Sequence, residues 1–451
     1  CFGIAAYNLA LDCMADDLIM QSQGNGWFWG DHCYNVKSNY TSSAFRSYDV
    51  WYANYKWIAN VNYIIDAEPE MAGTEADVAY VAGQAYAIRA LCYLNLATWF
   101  SRAPYNSLTG ASRWNEPCVP VYTTGTSIDT GGQPRESLRT VYGRIDQDID
   151  RAIELLEKAR ETTLAENNKS HINLYVALGI KSRACLAEGD WDGAFKAAKR
   201  VIDEGGYAVG TKSDLTSGMN SLDKQNVMWG AGIQVADQAG GYAGFFTHMD
   251  NKEGAYAKSA PKLISKQLYN RISATDIRRD WWDPSDKESP YVSKKFSFAN
   301  VASFLGDYIY MRVEEMYFTA AEAALRLDDL KSARELMNTV MAERDPGYSA
   351  NNRSGTLLGA TTTTWTGSFL ENILTHRRIE LWGEYGRLFD VRRLGQGIDR
   401  RTDDGFSEEC ISMMNRRNVN ITKADTYDWV LTIPKAELDA NPNINEEDQN
   451  P

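Results

Sequence analysis

The chain has 451 residues, 44% hydrophobic and 12% aromatic, enough to bury a large core. Its formal net charge of −13 and pI near 5.0 argue against nucleic acid, whose phosphates demand clustered Lys and Arg, and against an anionic membrane face. No apolar run reaches the roughly 18 residues that span a bilayer, and the seven cysteines are scattered without C-x-x-C spacing, so neither a zinc site nor a disulfide framework is expected.

From Phe2 to Met20, Ile4, Tyr7, Leu11, Met14 and Leu18 recur at helical steps. Asp16-Asp17 closes this segment. Adjacent helical side chains point about 100° apart and cannot converge on one substrate atom, so the pair reads as capping or solvated. Gln21 to Asn39 changes character. Gly24, Gly26 and Gly30 alternate with Trp27, Trp29 and Tyr34, and Asp31 and Asn35 stand beside them. Glycines permit turns, and the expectation is a loop that displays flat rings to a ligand with polar groups alongside. It is not a nucleotide loop, because Gly24-x-Gly26 runs into Trp27 instead of a third glycine and a helix.

A helix is expected from Tyr48 to Ala67, with Trp51, Tyr52, Tyr55, Ile58, Val61, Asn62 and Ile65 on its packed side. Its partner is Glu75 to Arg102, whose face carries Val81, Ala82, Ala85, Ile88, Arg89, Leu91, Cys92 and Leu96. The Gly-, Ser-, Thr- and Pro-rich stretch from Asn106 to Pro134 reads as a long surface loop. Ser137 then caps a helix with a clean stripe from Leu138 to Leu156. An internal repeat follows: Ala184-x6-Trp191-x2-Ala194 and Ala323-x6-Leu330-x2-Ala333, each between two helical stretches. Small alanines let paired helices approach while a larger residue fills the turn, as helix-pair solenoids require.

Gly205 to Asn300 is punctuated by glycines and short apolar pieces, which suits loops and short strands. Here Trp281, Trp282 and Tyr291 are candidate ring platforms, with Arg279 and Asp283 as polar partners. Tyr242, Phe245 and Phe246 are weaker candidates. Glu314 and Glu315 are again adjacent on a helix, which does not suit a two-carboxylate glycosidase pair, and Glu315 is expected to brace Arg312. From Arg377 to Arg393, Ile379, Leu381, Trp382, Tyr385, Leu388 and Phe389 wind an apolar stripe down one helix. Opposite charges at helical spacing, Glu380 with Arg377 and Glu384 with Arg387, are expected to brace it internally. The acidic tail after Ile433-Pro434-Lys435-Ala436-Glu437 and Asn441-Pro442 is expected to be flexible.

The wording of several segments carries more than their periodicity. Arg377-Arg378-Ile379-Glu380-Leu381, Glu384-Tyr385-Gly386-Arg387 and Phe389-Asp390-Val391-Arg392-Arg393 resemble the C-terminal signature of the SusD/RagB-like family of outer-membrane nutrient-binding lipoproteins. In the same order as in that family stand Ala82 to Tyr93, Asp276-Ile277-Arg278 with Lys295-Phe296, Tyr310 to Ala323, and the Ile433 to Asn443 closing segment. Glu314 departs from the family pattern, where a small residue is usual.

The resemblance implies an all-α fold, a tetratricopeptide-like helix-pair superhelix with an irregular, loop-rich inserted subdomain. It would be one domain over residues 1–451, with a scaffold at about 40–204 and 301–451 and the insertion at about 205–300. It further implies a non-catalytic, surface-exposed, lipid-anchored protein of the outer membrane, its anchor in a preceding segment, with no cofactor. Such a protein captures an oligosaccharide or polysaccharide and delivers it to a SusC-like TonB-dependent transporter. Peptide binding within the same family and an all-α glycoside hydrolase are the alternatives. The second lacks H-E-x-x-H, G-x-S-x-G or an arguable carboxylate pair.

Overall fold

The structure is a computed structural model that describes residues 3–24, 26–34, 45–127, 129–164, 168–235, 243–354, 367–422 and 426–451. In chain order the principal helices are α1 (Ile4–Met14), α2 (Phe45–Ala67), α3 (Glu75–Phe100), α4 (Leu138–Lys158), α5 (Leu174–Glu188), α6 (Trp191–Glu204), α7 (Val313–Arg326), α8 (Leu330–Ala342), α9 (Phe369–Glu380), α10 (Arg387–Arg393) and α11 (Glu408–Arg416). The strands are short: β1 (Leu18–Ile19), β2 (Val227–Ala231), β3 (Leu263–Ile264), β4 (Trp282–Asp283), β5 (Val292–Ser293) and β6 (Tyr308–Arg312). Helices dominate, as the expected all-α class requires. The residues form two compact units, Cys1–Asn35 with Ala198–Val391 and Gln396–Thr422, and Val36–Ala197 with Arg392–Gly395 and Lys423–Pro451.

The second unit is a run of antiparallel helix pairs in which α2 packs on α3, α3 on α4 and α4 on α5. Thr74 and Ser137 cap α3 and α4 by accepting from Asp77 N and Thr140 N, satisfying N–H groups that the helices leave open. Gly83 lets α3 and α4 meet closely: a Cβ there would stand 2.8 Å from Leu156 Cγ. Val81, expected on the packed face of α3, is exposed. Arg89 is buried between the helices, where it donates to both Asp148 oxygens at 2.7 Å and to Asn62 Oδ1 at 2.7 Å.

The 431–450 segment is anchored, contrary to the expected flexible tail, because its polar groups satisfy buried backbone. Asn450 is buried and donates to Phe100 O and Leu431 O, both at 2.8 Å, while Gln449 holds both polar atoms of Ile433. Asn450→Ala leaves two buried carbonyls without their donor and is expected to cost about 1–3 kcal/mol. Urea denaturation checks this, and a loss below a few tenths would restore the flexible-tail reading.

In the first unit α7 packs on α8 and on α9. Ala323 and Ala333 are fully buried on either side of the turn between α7 and α8, as Ala184 and Ala194 are on either side of the turn between α5 and α6, so the repeat read from the sequence marks two helix-turn-helix units. The described residues of 205–300 form short helices and strands; β3, β4 and β5 join β1 in a four-stranded sheet of order β1-β3-β5-β4, and β2 pairs with β6.

The 377–393 stretch is not one helix. α9 stops at Glu380 and α10 starts at Arg387, with Gly383 at φ 74° and Gly386 at φ 105°, backbone that glycine adopts without steric cost. The break redirects every charge. Glu380 meets Arg278, Arg312 and Arg344 at 2.9–3.2 Å, Glu384 meets Arg312 and Lys295, and Arg377 meets Asp390 at 2.8 Å. Arg387 and Arg378 take Asp16 and Asp17, which are therefore buried ion-pair partners and not a solvated cap. Glu315 faces Arg377, whereas Arg312 pairs with Glu314, the reverse of the expected brace. Glu314, the departure from the family pattern, is fully buried and accepts from Gly210 N, Asn226 Nδ2 and Arg344.

These carboxylates set a pH profile. Burial alone would raise Glu380 and Asp16, but Arg344, Arg312 and Arg278 hold Glu380 well below 4.5, and Arg387 and Arg378 bring Asp16 down to about 2. Depressed groups contribute stability that is present above the unfolded values and lost as pH falls through the folded ones. Asp12 and Asp404 are the reverse, raised by burial to about 7, so their contribution is full below 3.8 and lost as pH rises through 7. Buried His248 and His376, held below the usual imidazole range by desolvation, also add stability as pH rises toward 6.5. Tm is therefore expected to fall as pH drops from 5 to 3; a Tm unchanged over that range would contradict it.

Candidate functional site

The ring-bearing stretch after Gln21 folds more tightly than a display loop. Residues Trp29–His32 make a short helix, Phe28 and Tyr34 have positive φ at either end, and Trp29, Asp31 and Tyr34 are buried. Tyr34 donates its hydroxyl to Met14 O at 2.6 Å and Trp29 lies 5.8 Å from His32, so both rings fill the core. The expected exposure of these two rings is corrected accordingly. Trp27 remains half-exposed, 6.2 Å from the half-buried Tyr256, with His248 between the two rings and Phe28. Asn35 and Tyr242 lie outside the described residues.

Trp281 and Trp282 are buried as well. Trp281 donates to Leu215 O at 2.7 Å under the Lys295 ammonium, and Trp282 packs edge-on to Trp382, so the pair plugs the core and presents no open face. Phe245 and Phe246 are buried against Phe296 and Phe298. The strands do bring Arg279, Asp283 and Tyr291 together at the surface. Arg279 stacks 4.4 Å over Tyr269, whose ring meets Tyr291 edge-on at 5.1 Å, and Tyr291 N donates to Asp283 O at 2.7 Å. All three are half-buried, and Asp283 also receives the Ser285 N–H and hydroxyl.

A well-formed concave surface lies elsewhere, in the second unit, where α2 faces Tyr122, Thr126, Ser127 and Thr130 and the start of the short helix Lys435–Ala440. The cavity is about 570 Å³, within the range of small-ligand clefts. Its floor is Trp51, Tyr55, Ile58 and Tyr122, and Thr126, Ser127 and Thr130 line its polar side. Tyr48 and Tyr52, one helical turn apart, stack at 5.6 Å and 11° with 43% and 52% of their surface open. Lys56 stands 5.9 Å over the Tyr52 ring.

The floor is held rigidly. Trp51 Nε1 donates to Glu437 Oε2 at 3.2 Å, Asn441 donates to Glu437 Oε1 at 2.8 Å, and Trp51 packs edge-on against Phe100. Tyr55 donates to Pro120 O at 2.8 Å, and burial pushes its pKa well up, so it stays a neutral hydroxyl. Flat, fixed aromatic faces beside hydroxyl groups can stack on the C–H faces of a pyranose while the rim takes its hydroxyls. Periodicity had assigned Tyr52 and Tyr55 to the packed side. The legible clue was excess: Tyr48, Trp51, Tyr52, Tyr55, Trp57 and Tyr63 on one helix are more rings than one packed face can bury.

Among the described residues no group of three or more His, Cys, Asp and Glu side chains is placed to hold a metal ion, and no helix is long and apolar enough to cross a membrane. Two family models match the chain, one described as the SusD family over residues 252–451 and one as starch-binding, associating with the outer membrane, over residues 6–186. No curated protein matches. Among solved structures, a SusD-like carbohydrate binding protein from Bacteroides vulgatus is 26% identical, with a TM-score of 0.77 over 99% of this chain and 94% of that one. A SusD superfamily protein from Bacteroides thetaiotaomicron is 23% identical, with a TM-score of 0.79 over 99% and 94%. Surface glycan-binding protein A from Bacteroides thetaiotaomicron, solved in complex with laminarihexaose, is 16% identical, with a TM-score of 0.68 over 98% and 93%. The matched signature segments, the paired helices and these likenesses converge: the chain belongs to the SusD/RagB-like family.

Proposed function

We propose that this protein is a non-catalytic glycan-binding protein of the outer-membrane surface, held there by a lipid anchor, which captures oligosaccharides and hands them to a SusC-like TonB-dependent transporter. The observation that carries the reading is the aromatic groove of α2, with the Tyr48–Tyr52 platform open beside a hydroxyl-rich wall. Trp27 with Tyr256, and Arg279 with Tyr291 and Asp283, offer additional ring and polar surface of the same kind. A relative of the same fold was solved with laminarihexaose, which supports a glycan as the ligand class. The adjacent acids Asp16 with Asp17 and Glu314 with Glu315 are all buried against arginines, which favours binding over cleavage.

Purified protein titrated calorimetrically with plant, algal and host oligosaccharide pools is expected to bind at least one pool and to release no reducing ends from it. Binding confined to peptide pools, or release of reducing sugar, would overturn the reading. For the delivery step, co-purification of a TonB-dependent barrel with the tagged protein from native membranes is the expected result.

A further inference from the structure

We propose that Cys33 and Cys410 form a reversible disulfide that clasps the ring-bearing turn 26–34 to α11. The two cysteines are far apart in the chain and meet in one buried cluster of the first unit. Cys410 Sγ donates to His32 O at 3.6 Å, and that carbonyl belongs to the peptide bond leading into Cys33, so the Cys410 sulfur sits beside the Cys33 backbone. Both cysteines are free thiols, each shifting the ionisation of the other, and both are sealed from solvent. Arg400 organises the cluster. Its guanidinium donates to His32 O, to Cys13 O at 3.0 Å and to Ala15 O at 2.7 Å, and lies 3.9 Å from Cys410 Sγ between the rings of Tyr34 and Phe406. A fixed cation at a thiol pair favours one thiolate, the species that attacks disulfides. The neighbouring Cys33, with His32 and Arg400, acts against burial and holds the Cys410 thiol below its usual range.

The oxidant is a small-molecule disulfide. The Cys410 thiolate attacks one sulfur of glutathione disulfide, forming a mixed disulfide and releasing a glutathione thiolate. That thiolate takes the Cys33 proton, and the Cys33 sulfur then attacks the Cys410 sulfur and expels the second glutathione. Two protein sulfurs are oxidised and one disulfide is reduced. Because both sulfurs are buried, exchange proceeds as α11 opens locally from the turn. The product ties the turn that carries Trp27 to α11 across most of the chain length, a long closure of the kind that restricts the unfolded state most.

The full chain is incubated with glutathione disulfide in urea below the unfolding transition, returned to buffer, and mapped by non-reducing peptide mass spectrometry. The expected result is a Cys33–Cys410 linked peptide, an intact mass lower by two hydrogens, and a Tm raised by several degrees, all reversed by dithiothreitol. Cys33→Ala and Cys410→Ala are each expected to show none of these. Free thiols, glutathione adducts alone, a bridge to Cys13 instead, or a bridge without a rise in Tm would overturn the proposal. If either alanine variant does not fold, the peptide map of the wild type decides alone.

Discussion

Glu380→Ala is expected to destabilise the protein by about 3–5 kcal/mol, the cost of removing one partner from a buried ion pair. Its two carboxylate oxygens serve three fully buried guanidiniums, Arg278, Arg312 and Arg344, and the neighbouring acids Glu314, Glu384 and Asp276 are already engaged. Without Glu380 the cluster holds an uncompensated positive charge away from water. Against a typical total stability of about 5–15 kcal/mol, that loss decides whether the chain folds at physiological temperature. Glu380→Gln keeps the volume and one acceptor and is expected to lose less. Glu380→Met with Arg344→Met, which removes charge in balance, is expected to recover part of the loss. A bracing salt bridge within one helix would be worth only about 0.3–0.5 kcal/mol. Urea midpoints separate the two: a Glu380→Ala loss below about 1 kcal/mol would mean that the buried cluster does not hold the unit together.

Tyr52→Ala is expected to weaken glycan binding about tenfold, and Tyr48→Ala with Tyr52→Ala about a hundredfold. A tenfold change corresponds to about 1.4 kcal/mol, the scale of one aromatic stacking contact with its buried area. Since about half of each ring is open to solvent, their loss is expected to change folding stability by no more than about 0.5 kcal/mol, so weakened binding would not reflect unfolding. Tyr52→Phe keeps the flat face and is expected to retain most of the affinity. Trp51 is a poor probe, since it is buried on Phe100 and bonded to Glu437, and its removal would disturb the groove floor itself. A double variant that binds as tightly as wild type would move the site to Trp27 and Tyr256, where Trp27→Ala is the corresponding measurement.

Burial explains why the ring platforms read from the sequence moved. Trp29, Trp281 and Trp282 stand among loop glycines and turns, yet each ring is covered: Trp29 packs on His32 within its own short helix, while Trp281 and Trp282 find distant neighbours in Lys295 and Trp382. Composition shows that a loop carries rings, but not whether another segment will cover them. Tyr52 is the converse case. A helical stripe shows which residues share a face, and the neighbours of α2 decide whether that face meets another helix or an open groove.

The sequence by itself determined the helical class, the repeated alanine-marked pairs, the capping at Ser137 and the family, because periodicity, caps and signature wording depend on residues close together in the chain. Only the tertiary structure decided that Arg377–Arg393 breaks at Gly383 and Gly386, that its charges serve Asp16, Asp17, Arg278, Arg312 and Arg344, and that Tyr48 and Tyr52 stay open. Those outcomes depend on which distant groups share a buried, low-dielectric environment, where a charge must find its opposite and an uncovered ring keeps its face to water.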